Sequence, residues 1–155
     1  MRNNRFKAEK LGGLLKPNEH ILLMCWAIEC VDHICPLVPI EISDLIKQTL
    51  DIAKHWTLGN ASVKDARNAA IVMNKLARVT TNLADKYAIK AAGHAVATAH
   101  MADHAVVASK YALKAFEGIN NSLLPESNWQ VEKLPFKIKY FMVKILLDKD
   151  KTSLI

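Results

Sequence analysis

From Ser62 onward, small apolar residues recur at helical spacing, and this limits the fold more than any other feature of the chain. Ala66, Ala69, Ala70, Met73, Leu76 and Ala77 fall on one stripe, and residues 91–105 read AAGHAVATAHMADHA. Apolar positions at i, i+3, i+4 and i+7 mark one face of a helix, whereas a half-buried strand alternates with period two. No alternation of useful length occurs. Alanine is the strongest helix former, and side chains this small let helix backbones approach closely. Gly93 inside such a helix costs about 1 kcal/mol relative to alanine, so a neighbour packed tightly against it is the expected compensation. With only five Gly and five Pro in 155 residues, the fold class is all-α, a compact single-domain bundle of about six helices with short connections.

Punctuation residues divide the chain. Asn18 offers an N-cap for a periodic run from Ile21 to Cys35, stopped at Pro36. Ser43 is placed to cap a helix from Asp44 to about Trp56, ended by Gly59-Asn60. Ser62, with Asp65 three residues on, reads as a capping box for the next helix. Val79-Thr80-Thr81 marks a turn, and Asn82 caps a helix over Leu83–Ala99. Another follows from Ala102 to Phe116, ended by Gly118 and Asn120-Asn121. Pro125 and Ser127 open a last helical region that Pro135 kinks or divides before Phe136–Leu147. Residues 1–18 form a basic N-terminal segment, its first ten residues mobile or loosely docked; 19–148 form the helical domain; 149–155 are a tail expected to fray.

The formal charge of +6 sits at the ends of the chain. Residues 1–10 carry four Lys/Arg against one acid, and residues 132–151 carry six Lys against three, while 11–131 are balanced. With only four Arg and no zinc-finger, RNP or helix-turn-helix pattern, nucleic-acid binding is not expected. No secretory signal is read at the N-terminus and no run of membrane-spanning length is read, so a cytoplasmic protein without membrane attachment is expected. Cys25, Cys30 and Cys35 are odd in number and lack the CxxC spacing of a zinc site, so they read as reduced, buried, small apolar residues.

The chemistry-bearing cluster is His94, His100 and His104, with Thr98 and Asp103 between them and Asp32-His33 upstream. His100 and His104, four apart, share a face on a continuous helix and supply two metal ligands in principle. The HExxH glutamate is absent, and a third ligand has to come from another helix, with Asp32 and His33 the available source. No metal is assigned on this basis. Thr98 lies one turn from His94, but no oxyanion-hole loop accompanies it. The simpler reading is a close-packed helical seam whose imidazoles make polar contacts between helices or present one nitrogen at a groove.

Ala91-Ala-Gly-His-Ala-Val-Ala-Thr-Ala-His100, followed by Asp103-His104-Ala105 and Tyr111-Ala-Leu-Lys-Ala115, resembles the Imm-5-like immunity protein family. Trp26-Ala27 with Glu29-Cys30 and Pro36-Leu37, Trp56, the block Ser62–Ala70, and Trp129-Gln130 with Lys133-Leu134-Pro135 fit the same pattern, over roughly residues 22–140. Where related sequences often carry Pro or Gly between the second and third histidines, this chain has Met101-Ala102-Asp103, which leaves open whether the helices there are continuous. The resemblance implies an all-helical bacterial protein that binds a cognate protein toxin in the cytoplasm, with no reaction and no cofactor. Trp26, Trp56 and Trp129 are then candidate aromatic anchors of the interface, although each also suits the core. Two further readings remain: an enzyme using His94, His100 and His104 with metal or acid–base chemistry, and a helical scaffold or homo-oligomer using the apolar stretch Phe136–Leu147.

Overall fold

The computed structural model describes residues 3–147, and the 149–155 tail therefore lies outside the described residues. Seven α-helices follow one another: α1 (Pro17–Ile34), α2 (Ile40–Thr57), α3 (Val63–Val79), α4 (Leu83–Ala97), α5 (His104–Asn120), α6 (Leu124–Glu132) and α7 (Phe136–Leu147). Among the described residues there is no strand, only an isolated bridge between Ala8 and Leu15. The chain is an all-α bundle. The seventh helix arises because Pro135 divides the last helical region between α6 and α7.

Local chemistry sets the boundaries. Ser62 and Asp65 cap α3 reciprocally: Asp65 N–H donates to Ser62 Oγ at 3.0 Å, and Ser62 N–H donates to Asp65 Oδ2 at 2.8 Å. At α4, Asp85 N–H donates to Asn82 Oδ1 at 3.0 Å. Several boundaries differ from the sequence expectation; α4, for one, ends at Ala97 and α5 starts at His104. Helix α1 begins at Pro17 instead of after Asn18, because proline's fixed φ is already helical and its missing N–H costs nothing in the first turn; Lys16 N–H donates to Glu19 Oε2 at 2.9 Å. Helix α2 begins at Ile40, directly after Pro39, which stands outside it with extended ψ 146° as the N-cap, so Ser43 is a buried residue of its first turn and not the cap. Helix α5 runs past Phe116 and Gly118 to Asn120 and ends on Asn121 in the left-handed region, φ 56°.

The seam forms as the small residues require. Helix α4 packs most extensively on α5 and α3, and α1 crosses both α4 and α5. Ala88, Ala91, Ala92 and Ala95 of α4 and Ala105, Ala108, Ala112 and Ala115 of α5 are all buried in the core. A Cβ at Gly93 would stand 3.2 Å from Met73 Cβ on α3, tighter than ordinary van der Waals contact. The compensation expected for this glycine is therefore the approach of α3. Gly118 stays helical for a similar reason, lying close to Ala84 of α4.

The N-terminal segment is not loosely docked from residue 3 on. Two short 3₁₀ turns fold it back, Leu15 N–H donates to Lys7 O at 2.9 Å, and Phe6 and Leu15 are buried in the core. Residues 17–37 are long and apolar enough to cross a membrane by length and composition, which the sequence reading did not register. Half of that stretch is buried inside the bundle, where α1 packs against α5, α4 and α2. Of the three thiols, Cys30 and Cys35 are buried as expected, while Cys25 is exposed. Burial, and secondarily Asp32, pushes the Cys35 thiol up to about 11.

Candidate functional site

Five of the six imidazoles lie at three places. In the first, His94 near the end of α4 and His104 at the start of α5 face each other with Nδ1 atoms 2.9 Å apart. Helix α4 stops at Ala97, so His100 lies exposed in the turn, and the i, i+4 helical geometry expected for His100 and His104 is not formed. The Tyr111 ring stacks on His94, centroids 5.4 Å apart and planes 13° from parallel. Arg67, Asn74, Gly93, His94, His100 and His104 are among the residues lining a shallow cleft of about 200 Å³. A hydrogen bond between two Nδ1 atoms needs one ring to donate and the other to accept, so at least one imidazole is neutral. Burial first, then His104 and Lys90, push His94 down to about 4, so His94 is uncharged at neutral pH.

In the second place, His33 of α1 bonds through Nδ1 to Glu126 Oε1 at 2.9 Å. Trp129 stacks flat on His33, centroids 3.7 Å apart and planes 9° from parallel. Glu126 is 1% exposed and His33 is 41% exposed, so a buried carboxylate orients a ring that reaches solvent. Glu126 lies in the first turn of α6, where the helix dipole favours an anion. Glu29, Asp32, Pro36 and Lys133 complete an open cleft of about 340 Å³.

The third involves His20 of α1, which the sequence did not single out. Its Nε2 donates to Thr98 O, and its ring stands 4.9 Å from Trp56. Both line a cleft of about 460 Å³ between the N-terminal segment, α1 and the end of α2. Burial holds His20 below its ordinary value against the opposing bond to Thr98. The Thr98 hydroxyl donates to the His94 backbone carbonyl at 3.2 Å and not to its ring.

The expected residues therefore separate. His94, His100 and His104 share one cleft; Asp32 and His33 line another with Trp129. Among the described residues no three of His, Cys, Asp and Glu converge on a point that could hold a metal ion. Asp103 is buried at the start of α5. Trp26 is 1% exposed, and its Nε1–H donates to Gln130 O at 2.9 Å while Gln130 Nε2 donates to Ser109 O at 3.0 Å, tying α1, α6 and α5 together. Of the three tryptophans, Trp56 and Trp129 are part-exposed and line clefts. Glu126, Gln130 and His20 carried no local signal: their partners lie 93, 21 and 78 positions away.

An alanine-seamed helical bundle in which His20, His33, His94 and His104 make pairwise contacts, with open clefts between helices, defines a class of small all-helical proteins. Within that class the chain belongs to the Imm-5 like putative immunity protein family, whose model matches residues 13–137. No curated protein and no solved structure matches it.

Proposed function

We propose that the chain neutralises a cognate bacterial toxin in the cytoplasm, by binding it and occluding its active surface. The observation that carries this reading is the family match over residues 13–137, which spans six helices and the start of the seventh. The arrangement of the imidazoles is in keeping with a binding role: His94 and His104 occupy each other, His33 is held by Glu126 and Trp129, and His20 by Thr98. Rigid part-exposed side chains of this kind suit recognition, because little conformational freedom is lost when a partner docks.

The test is growth protection. Cells expressing a toxin encoded beside this gene should regain growth when the chain is co-expressed, and the two proteins should co-purify as a stable complex. Toxins that remain fully active, with no complex by size-exclusion chromatography, would overturn the reading.

A further inference from the structure

The outer edge of the α4–α5 seam carries three lysines, Lys90, Lys110 and Lys114, none of them in an ion pair among the described residues. Lys90 of α4 stands 5.2 Å from the Tyr111 ring centroid, and Lys114 of α5 stands 5.3 Å from Tyr111 and 5.5 Å from Tyr87. The two tyrosines are themselves in contact, centroids 5.9 Å apart, and Tyr111 continues onto His94. Lys110 lies one helical turn before Lys114. None of these three ammonium groups is in an ion pair; those found among the described residues are His33–Glu126 and Lys54–Asp51. The crowding is felt along the strip: burial and then Lys114 hold Lys110 below its ordinary value, and Lys90 adds to the pressure on His94. Like charges held this close oppose one another, and the cation–π attraction of the tyrosine rings offsets only part of that cost. An anionic partner reverses the sign of that cost.

We propose that this face, where Lys90 and Lys114 lie over the Tyr87 and Tyr111 rings and Lys110 lies one turn from Lys114, none of the three in an ion pair, is where the toxin docks, and that it meets an acidic patch on that protein. The inference rests on the proposed immunity function and adds the chemistry of the partner. Two features favour acidic side chains over a nucleic acid. The strip is short, Tyr87 to His94 on one helix and His104 to Lys114 on the other, roughly 10 and 15 Å of axis, which is room for a few carboxylates. Tyr111 is only 8% exposed, so its ring is not available for base stacking. A partner of this sign also gains in association rate, because complementary fields steer encounter.

The experiment is a titration of the isotope-labelled full chain with a short poly-L-glutamate peptide, beside an oligothymidylate of matched length, at low salt. Amide signals of residues 86–94 and 104–114 should shift saturably with polyglutamate. The combined Lys90→Gln, Lys110→Gln, Lys114→Gln variant should bind about tenfold or more weakly. The control is Lys16→Gln, Lys137→Gln, Lys139→Gln at the other basic cleft. It removes the same charge and should bind as the wild type does. Should the triple α4–α5 variant lose helicity, the three single substitutions carry the same comparison. Shifts that map to the Lys16 and Lys137 end instead, or undiminished binding by the α4–α5 variants, would overturn the proposal. So would tighter binding of oligothymidylate at the strip, which would make a nucleic acid the occupant. Failure of the immunity reading shows differently: the wild-type chain fails to protect cells while the strip still binds polyglutamate.

Discussion

The His94–His104 pair and the His33–Glu126 pair use the same side chain in opposite electrostatic settings. His94 faces another imidazole at 2.9 Å, with Lys90 adding like charge, and is held neutral. His33 faces a buried carboxylate at the same distance and is clamped by a parallel indole. The first site rejects a proton and sits in a seam of alanines; the second fixes a ring at the mouth of an open cleft. An imidazole therefore takes its role from what the packing brings beside it, and not from the spacing of histidines along the chain.

The contrast makes measurable differences. The largest effect should come from filling the seam. Gly93→Leu places a branched side chain where even a Cβ meets Met73 at 3.2 Å, and should cost about 3 kcal/mol in chemical denaturation. A loss under ~1 kcal/mol would mean that α3 does not press on α4 there.

Next is the carboxylate. Glu126→Ala removes the acceptor for His33 and opens space in the core, and should cost about 2 kcal/mol, with Glu126→Gln retaining roughly half of that. Equal losses in the two variants would show that packing and not the hydrogen bond holds α6 in place.

The pH response separates the two sites further. His94 titrates at about 4 in the folded chain and near 6.5 unfolded, so the unfolded state takes up the proton first. That contribution to stability is complete above pH 6.5 and is lost as pH falls towards 4, by roughly 1–2 kcal/mol once solvent screening is discounted. His20 acts in the same direction. Unfolding curves between these pH values should be flatter for His94→Gln than for the wild type; parallel curves would remove His94 from the acid response. The smallest effect expected is at Trp129→Phe, which keeps a ring against His33 and should cost about 0.5–1 kcal/mol.

A metal measurement sharpens the comparison from another side. Untagged protein purified without added metal should hold no stoichiometric zinc, nickel, iron or manganese, equally in the wild type and in a His94→Ala, His104→Ala variant. Metal retained by the wild type and lost in the variant would turn the His94–His104 cleft into a ligand set and reopen the enzymatic reading.

Much of the scaffold was legible because its signals are local. Helical periodicity identified the class, Ser62-Asp65 and Asn82 marked their caps, and the tight approach at Gly93 followed from the cost of a glycine in a helix. Where two start signals competed, proline won: Pro17 over Asn18, Pro39 over Ser43. The grouping of side chains was not legible. Which histidine meets Glu126, Trp56 or Thr98 depends on how helices far apart in the chain are laid side by side, and no periodicity encodes it. Asp32 and His33 looked like a source of ligands for His104 only because sequence gives residue types without position.

The bundle's polar ties differ in how far they reach. The α3–α4 and α4–α5 contacts join consecutive helices across short turns, whereas the bonds of Trp26 to Gln130 and His33 to Glu126 span 104 and 93 positions. Short closures are entropically cheap and form fast; long ones wait. The expected order of assembly is the alanine hairpins first and α6 onto α1 last, with φ-values high around Ala95 and Ala108 and near zero at Glu126. Newly made chain leaving the ribosome would then hold its central helices together while the face that receives α6 stays open until the final helices arrive.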